Sequence, residues 1–282
     1  MNYDKDSLDE FIKNAIREDV GDGDHTSLSC ISDTAQGRAK LLVKDNGILA
    51  GVEVAKRVFE IMDPNLQIDI MMTDGQEIKK GDVVFTVSGR DISILTAERL
   101  VLNIMQRLSG IATETNRYVK LLSGLKTKVL DTRKTTPGMR LLEKSAVKIG
   151  GGVNHRIGLY GMILVKDNHI DFAGGIENAI NNVHDYLKKN KKNLKVEVEA
   201  RSIDDIRRIM AIGGVDRIML DNFDLSLTRE AVELIDGKYE TESSGGITFE
   251  NLRQYAECGV DYISVGALTH QIKSLDLSLK AF

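Results

Sequence analysis

Four basic side chains stand where apolar runs give way to loops: Arg133 and Lys134 just after "TKVLD", Arg156 within "GGGVNHRIGL", and Lys166 closing "MILVK". Arginine grips a carboxylate or phosphate with two parallel N–H donors, and lysine adds a compact point charge. One such residue alone is ordinarily a solvated surface cation; several at the ends of apolar runs in one segment point to an anion site. Asp131 to Ile170 holds seven basic and three acidic side chains, a net +4 in a chain of net charge −4. Arg140, Lys144 and Lys148 in "MRLLEKSAVK" instead read as solvated residues on a helix face. Two carboxylates, Glu199 in "VEVE" and Asp221 in "RIMLD", also close apolar runs. Taken singly they are solvent-facing or supporting groups, and their spacing is no metal motif. Facing a cationic mouth they could hold Mg2+ or ribose hydroxyls, because magnesium is commonly bound by one or two carboxylates plus substrate phosphates.

Two Gly-rich runs near the C-terminus, "ESSGGIT" and "SVGALTH", follow further strand-like runs. Exposed backbone N–H groups and a helix start behind each run suit a phosphate, although glycines between strand and helix also serve plain turns. His155 and His169 stay open between acid–base groups, ligands and hydrogen-bonded scaffolding, since no HExxH or His-rich metal spacing accompanies them. His184 reads as exposed on a polar helix. These residues support an enzyme that binds a multiply anionic, phosphorylated ligand, which Mg2+ could accompany.

Such residues converge only if the runs carrying them are neighbouring strands. Six runs lead into helix-like segments, ending at Asp131, Lys166, Glu199, Asp221, Ser243 and Gly266. From Glu199 onward the ends recur about every 22 residues, the length of one strand–loop–helix unit. This predicts a parallel α/β barrel, in which the C-terminal ends of the strands carry the chemistry. A doubly wound open sheet is the competing architecture, but no GxGxxG follows a strand, and "IGGGVNH" has the wrong spacing. "SIDDIRRIMAIGG" opens with a capping-box pattern at Ser202 and Asp205 and stops at Gly213–Gly214.

The first hundred residues have a different rhythm. "LDEFIKNAIRED" puts Leu8, Phe11, Ile12, Ala15 and Ile16 on one helical face, and "GRAKLLVKDNGILAG" and "LQIDIMMTDGQEIKKGDVVFTVSG" read as strands joined by turns. A long helical run follows, with a break or bend expected near Gly110. The expected organisation is an N-terminal α/β domain over 1–110 and a barrel over 111–282, the C-terminal tail packing back on the first domain.

A chain of 282 residues accommodates a barrel-sized domain and a smaller one. An apolar fraction of 42% is ordinary, and 28% charged residues are too few for disorder. The net charge of −4 argues against a nucleic-acid partner, which would need a broad basic surface. No apolar run approaches a membrane span, and the polar opening "MNYDKDSLDEFIKNAIRED" is no signal peptide. Cys30 and Cys258 lack zinc or dithiol spacing and read as two buried thiols in a reducing cytoplasm.

The residues singled out above belong to a series of ordered stretches that spans nearly the whole chain: "REDVGDGDHTS", "AERLVLNIMQRLSGIAT", "DTRKTTPGMR", "GGGVNHRIGL", "VKDNHI", "VEVEA", "IMLDNF", "ESSGGIT" and "DLSLK". In these stretches the sequence resembles the quinolinate phosphoribosyltransferases, also called nicotinate-nucleotide pyrophosphorylases (carboxylating). The resemblance implies an N-terminal α/β sandwich-like domain joined to an incomplete, seven-stranded α/β barrel. It implies a pentosyltransferase of NAD biosynthesis, which makes nicotinate mononucleotide, CO2 and pyrophosphate from quinolinate and phosphoribosyl pyrophosphate with Mg2+. Matching motifs place Arg133, His155, Arg156 and Lys166 at quinolinate, joined by Arg99 from a neighbouring subunit. They place Lys134 near the pyrophosphate, and Glu199 and Asp221 at the ribose and Mg2+. Ser244, Gly245, Gly246, Gly266 and His270 fall around the 5′-phosphate. Lys134, Lys166, Glu199 and Asp221 form the implied catalytic set, and a homodimer, open to further assembly, is the implied minimal unit. The chain departs from the pattern at Gly161, where "GLYDxxLxKDNH" would place an acid, a change that bears on local packing ahead of the strand.

Three rivals follow from the same residues: a nicotinate transferase without decarboxylation, a related barrel protein of molybdenum transport operons, and a non-catalytic phosphate or nucleotide sensor. The run Lys166-Asp167-Asn168-His169 and the two arginines favour quinolinate, and the presence of both Glu199 and Asp221 argues against a sensor.

Overall fold

A computed structural model describes residues 5–282. The first four residues, the start of the polar opening discussed above, lie outside the described residues. In chain order the elements are α1 (Lys5–Val20), α2 (His25–Cys30), β1 (Gln36–Val43), β2 (Gly47–Ile48), α3 (Val52–Met62), β3 (Gln67–Ile70), β4 (Glu77–Ile78), β5 (Val83–Arg90) and α4 (Asp91–Leu121). They continue as β6 (Lys128–Leu130), α5 (Arg140–Ile149), β7 (Ile163–Val165), α6 (Asp167–Phe172), α7 (Ile176–Asn190), β8 (Val196–Ala200) and α8 (Ile203–Ile212). The last are β9 (Arg217–Asp221), α9 (Leu225–Ile235), β10 (Glu240–Ser244), α10 (Leu252–Glu257), β11 (Tyr262–Ser264), α11 (Ala267–His270) and β12 (Leu277–Ala281). Two compact units result. One combines the chain up to Asn116 with Thr135–Gly151 and Leu268–Phe282; the other combines Arg117–Lys134 with Gly152–Ala267.

The first unit is built on an antiparallel sheet of order β12-β1-β5-β3. The C-terminal strand pairs with β1 in the register Leu41↔Leu279, so the chain's end is hydrogen-bonded to its beginning. Alternation along β1 buries Ala39, Leu41 and Val43, while α3 supplies Val54, Ala55, Val58 and Phe59 to the same core. Phe59 meets Phe85 edge-to-face at 5.9 Å. Of the apolar face expected on α1, only Ile12 is fully buried; Leu8, Phe11, Ala15 and Ile16 are half-buried.

The expected interruption near Gly110 does not occur, for α4 runs unbroken from Asp91 to Leu121. The glycine serves close packing instead: a Cβ there would collide with the carbonyl of Lys273. Lys144, expected on a solvated face, is 1% exposed, and Glu143 beside it is fully buried. Glu143 accepts from Arg107 Nε at 2.7 Å and from the Thr136 backbone N–H at 3.1 Å, which explains a buried carboxylate in α5. Cys258 is buried as expected, but Cys30 is exposed at the end of the short helix α2.

The second unit contains a parallel sheet of order β6-β11-β10-β9-β8-β7, with helices between successive strands. All six strands expected from the sequence are present. The family resemblance implies seven; among the described residues the sheet extends beyond β6 by one parallel bridge, Leu130 to Val153. Ser202 caps α8 by accepting the Asp205 N–H, and Asp205 reaches back to the Arg201 N–H, one residue earlier than a full capping box would.

Candidate active site

Side chains alternate across a strand, so every second residue of the parallel sheet faces the same way. In β8 the outward set is Val196, Val198 and Ala200, all buried, which leaves Glu197 and Glu199 on the opposite face. Register aligns Glu197 with Arg217 and Glu240, Glu199 with Met219 and Glu242, and Asp221 with Ser244. One face of the sheet is therefore polar in layers, from a basal layer at Arg217 to a mouth at Asp221.

The basal layers are bonded to one another. Arg217 donates to Glu240 at 3.0 Å and to Glu242 at 2.9 Å, and its ring-facing side lies 4.0 Å above the centre of Tyr262. Glu197 and Glu242 have no exposed side-chain surface. Burial, and next the charge of Glu197, push the Glu242 carboxyl up to about 8. His155 caps this layer: Nε2 lies 3.0 Å from Glu197 Oε2 and 3.5 Å from Glu242 Oε2, at ion-pair distance without the alignment of a straight hydrogen bond. Its Nδ1 accepts the Arg156 backbone N–H at 2.7 Å. The buried Asp131 accepts the His155 backbone N–H at 2.8 Å and the Asn154 amide at 2.5 Å.

Above lies a cavity of about 410 Å3. Thr132, Arg133, Lys134, Arg156 and Lys166 line its cationic side, and Asp221, Asn222, Ser244, Gly245 and Ser264 line the other. Burial lowers the Arg156 pKa, and the neighbouring charge of Arg133 lowers it further, so two guanidiniums share one region. Lys166 Nζ stands 3.6 Å from Glu199 Oε2. Burial raises the Glu199 pKa, with the Asp221 charge as the second cause, so these carboxylates repel one another near the cavity. Two oxygen-donor carboxylates in mutual repulsion are a fitting donor set for a hard divalent cation.

The cradle expected at "ESSGGIT" is a loop rather than a helix start, since α10 begins only at Leu252. Gly245 has φ +88, and a Cβ on it would strike the Asn222 side chain, so no other residue fits there. Asn251 braces the loop, accepting the Thr248 N–H at 2.8 Å and donating to the Gly246 carbonyl at 3.1 Å. Gly266 directly precedes α11.

The family model described as quinolinate phosphoribosyl transferase, C-terminal domain, matches residues 111–280, and that of the N-terminal domain matches residues 24–109. The chain belongs to the quinolinate phosphoribosyltransferase family. A family protein from Nicotiana tabacum, quinolinate phosphoribosyltransferase (decarboxylating) 2b, mitochondrial, is 43% identical over 97% of this chain and 82% of its own length. The probable nicotinate-nucleotide pyrophosphorylase (carboxylating) of Bacillus subtilis is 42% identical over 96% of this chain and 92% of its own. The crystal structure of NadC from Streptococcus pyogenes superposes with a TM-score of 0.94 at 39% identity, covering 100% of this chain and 99% of that one.

Of the residues that the resemblance to this family singled out, the structure gathers Arg133, Lys134, His155, Arg156, Lys166, Asp221, Ser244 and Gly245 at one cavity. Glu199 joins them through Lys166, and Gly246 and Gly266 follow strands of the same sheet. Arg99, exposed on α4, and His270, exposed at the end of α11, belong to the first unit. His169 accepts the Lys166 backbone N–H at 2.9 Å, a scaffold role among the three left open. His184 is half-buried rather than exposed, 3.1 Å from the Gly214 carbonyl. The sequence reading missed Glu197, Glu242 and Asn222. The signal for the first two was present: alternating glutamates in "VEVEA" and "ETESS" repeat at the period of a strand and so share one of its faces. Asn222 gave no such signal; its positive φ of 54 and its 2.7 Å bond to Asp221 exist only in the fold.

Proposed function

We propose that this protein transfers the 5-phosphoribosyl group of phosphoribosyl pyrophosphate to the quinolinate nitrogen and releases pyrophosphate and CO2, giving nicotinate mononucleotide for NAD biosynthesis. Family membership supports the reaction, and one observation carries the substrate: Arg133 and Arg156 in a single cavity with Lys166. A pyridine dicarboxylate offsets that concentration of charge, and planar guanidiniums match planar carboxylates.

In this reading Arg133, Arg156 and Lys166 orient both carboxylates and so aim the ring nitrogen at the ribose C1. Ser244, Gly245, Gly246 and Gly266 hold the 5′-phosphate through loop N–H groups. Lys134 steadies the departing pyrophosphate. Glu199 and Asp221 bind the ribose hydroxyls and offset the positive charge that develops at C1 as the bond to pyrophosphate lengthens. Their oxygens would also hold Mg2+, which supplies charge neutralisation for the leaving group. Once alkylated, the ring nitrogen is cationic and the ring accepts the electron pair left when the adjacent carboxylate departs as CO2. A proton then replaces that carboxylate on the ring carbon.

The homodimer belongs to the same proposal, with Arg99 of one subunit completing the quinolinate site of another. The exposure of the large apolar side chains Leu159, Tyr160 and Phe172 supports an area that a second copy covers, and Arg99 is itself exposed. Arg99→Ala then lowers quinolinate affinity in a dimer of unchanged mass, and unaltered affinity removes Arg99 from the site. A reducing, cytoplasmic setting suits the exposed free thiol of Cys30; recovery of the native protein in another cell fraction counts against it.

The deciding assay supplies phosphoribosyl pyrophosphate and Mg2+ with quinolinate or nicotinate in parallel, and quantifies mononucleotide and CO2. Equal yields of both products from quinolinate, with little from nicotinate, are expected. Product from nicotinate alone retains the transferase and replaces the substrate. Absence of product from either overturns the enzymatic reading in favour of a sensor.

A further inference from the structure

At the floor of the cavity, the buried side chains of Glu242, which lines it, and of Glu197 behind it serve none of the steps above. We infer that they are positioning residues for quinolinate, acting through the His155 ring on Arg156; the inference rests on the proposal that the cavity binds quinolinate.

His155 Nδ1 accepts the Arg156 backbone N–H at 2.7 Å, so a neutral ring carries its proton on Nε2. That nitrogen faces down, 3.0 Å from Glu197 Oε2 and 3.5 Å from Glu242 Oε2. The three residues come close enough to resemble a metal site, with their ligand atoms within 4.8 Å of one another. A protonated Nε2 is no metal ligand, however, and Arg217 already supplies a cation 2.9 Å from Glu242. The cluster is an electrostatic bracket, in which the Nε2 proton lies within ion-pair distance of both glutamates.

The bracket acts on one short segment. Carboxylates fix the ring from below, the ring fixes the Arg156 N–H, and Asp131 fixes the His155 N–H at 2.8 Å. Arg156 Nη1 is held in turn by the Met162 carbonyl at 3.1 Å. With backbone and one guanidinium nitrogen pinned, Arg156 presents its remaining donors to the cavity in one orientation. Both ring nitrogens of His155 are thereby engaged with the protein, and its contribution to substrate binding passes through the arginine beside it. Fixed donors bind a rigid dicarboxylate better than mobile ones, because less freedom is lost on binding.

The test uses Glu197→Gln and Glu242→Gln, which keep shape while replacing a carboxylate oxygen with an amide. Each is expected to raise the quinolinate KM about tenfold and to leave the phosphoribosyl pyrophosphate KM within about twofold. General damage to the parallel sheet would move both constants together, and that outcome, or an unchanged quinolinate KM, overturns the inference. Arg156→Ala is the control for the underlying site. If it weakens quinolinate and the glutamine variants do not, only the positioning role fails; if it leaves quinolinate unaffected, the site reading itself fails. Nitrogen-15 spectra of the His155 ring in the unmodified protein give a second readout that needs no variant to fold. The Nε2-protonated tautomer is expected, and a ring protonated on Nδ1 alone overturns the inference.

Discussion

The base and the mouth of the parallel sheet carry the same residue types and use them oppositely. At the base, Arg217 is 11% exposed and bonded to Glu240 and Glu242, so its charge is met within the chain. At the mouth, Arg133 is exposed, and it opposes the charge of Arg156 rather than relieving it. Only a few residues along each strand separate these layers. Charge satisfied internally holds strands together, and charge left facing its own kind recruits a ligand of opposite sign.

The largest effect is expected at the base. Arg217→Met should cost about 3–5 kcal/mol, because Glu197, Glu240 and Glu242 would lose the guanidinium that favours their ionised forms or pairs with them. Chemical denaturation measures it, and a loss no larger than that of a surface substitution means the base is not held by this charge. At the mouth the sign of the effect differs. Arg133→Ala should leave the melting temperature unchanged and weaken quinolinate roughly 30-fold or more, about 2 kcal/mol upward. Calorimetric titration reads it directly, and near-native affinity sinks the dicarboxylate site.

A smaller effect sharpens the contrast by pH. The folded protein holds the Glu242 proton more tightly than the unfolded chain does, with a carboxyl moved from 4.5 to about 8. Its contribution to stability is therefore complete below about 4.5 and is lost as pH rises through about 8. Relative to Glu242→Gln, the native protein should lose stability across that window; parallel stability curves for the two would show that the carboxyl is not so displaced. The smallest effect is expected ahead of β7. Gly161 is exposed, and a Cβ there meets nothing closer than the Gly158 carbonyl oxygen at 3.7 Å. Gly161→Asp, which supplies the acid that the resemblance implies there, should change stability by no more than about 0.5 kcal/mol. A larger loss by thermal melting would give that position a structural role.

Much of this was legible in the chain because it is local. Apolar runs with a recurrent length announced six parallel strands, and the residue closing each run is by construction at a strand end, which is how Lys166, Glu199 and Asp221 could be chosen. Gly110 and Lys144 were misjudged for the converse reason. A glycine inside a helix looks like a break until the strand of chain against it, at Lys273, comes into view, and a lysine in an amphipathic helix looks solvated until its burial is known.

The sequence by itself determined the family, the parallel architecture and the cationic segment, since each depends on residue type and spacing along the chain. Tertiary structure alone decided which charges cancel. Glu197, Arg217 and Glu242 lie on three different strands, and only their register brings them beneath His155. Electrostatic energy depends on distance and burial, neither of which is a property of position in the chain, so the division between a charge that supports the fold and one that awaits a substrate is made in three dimensions.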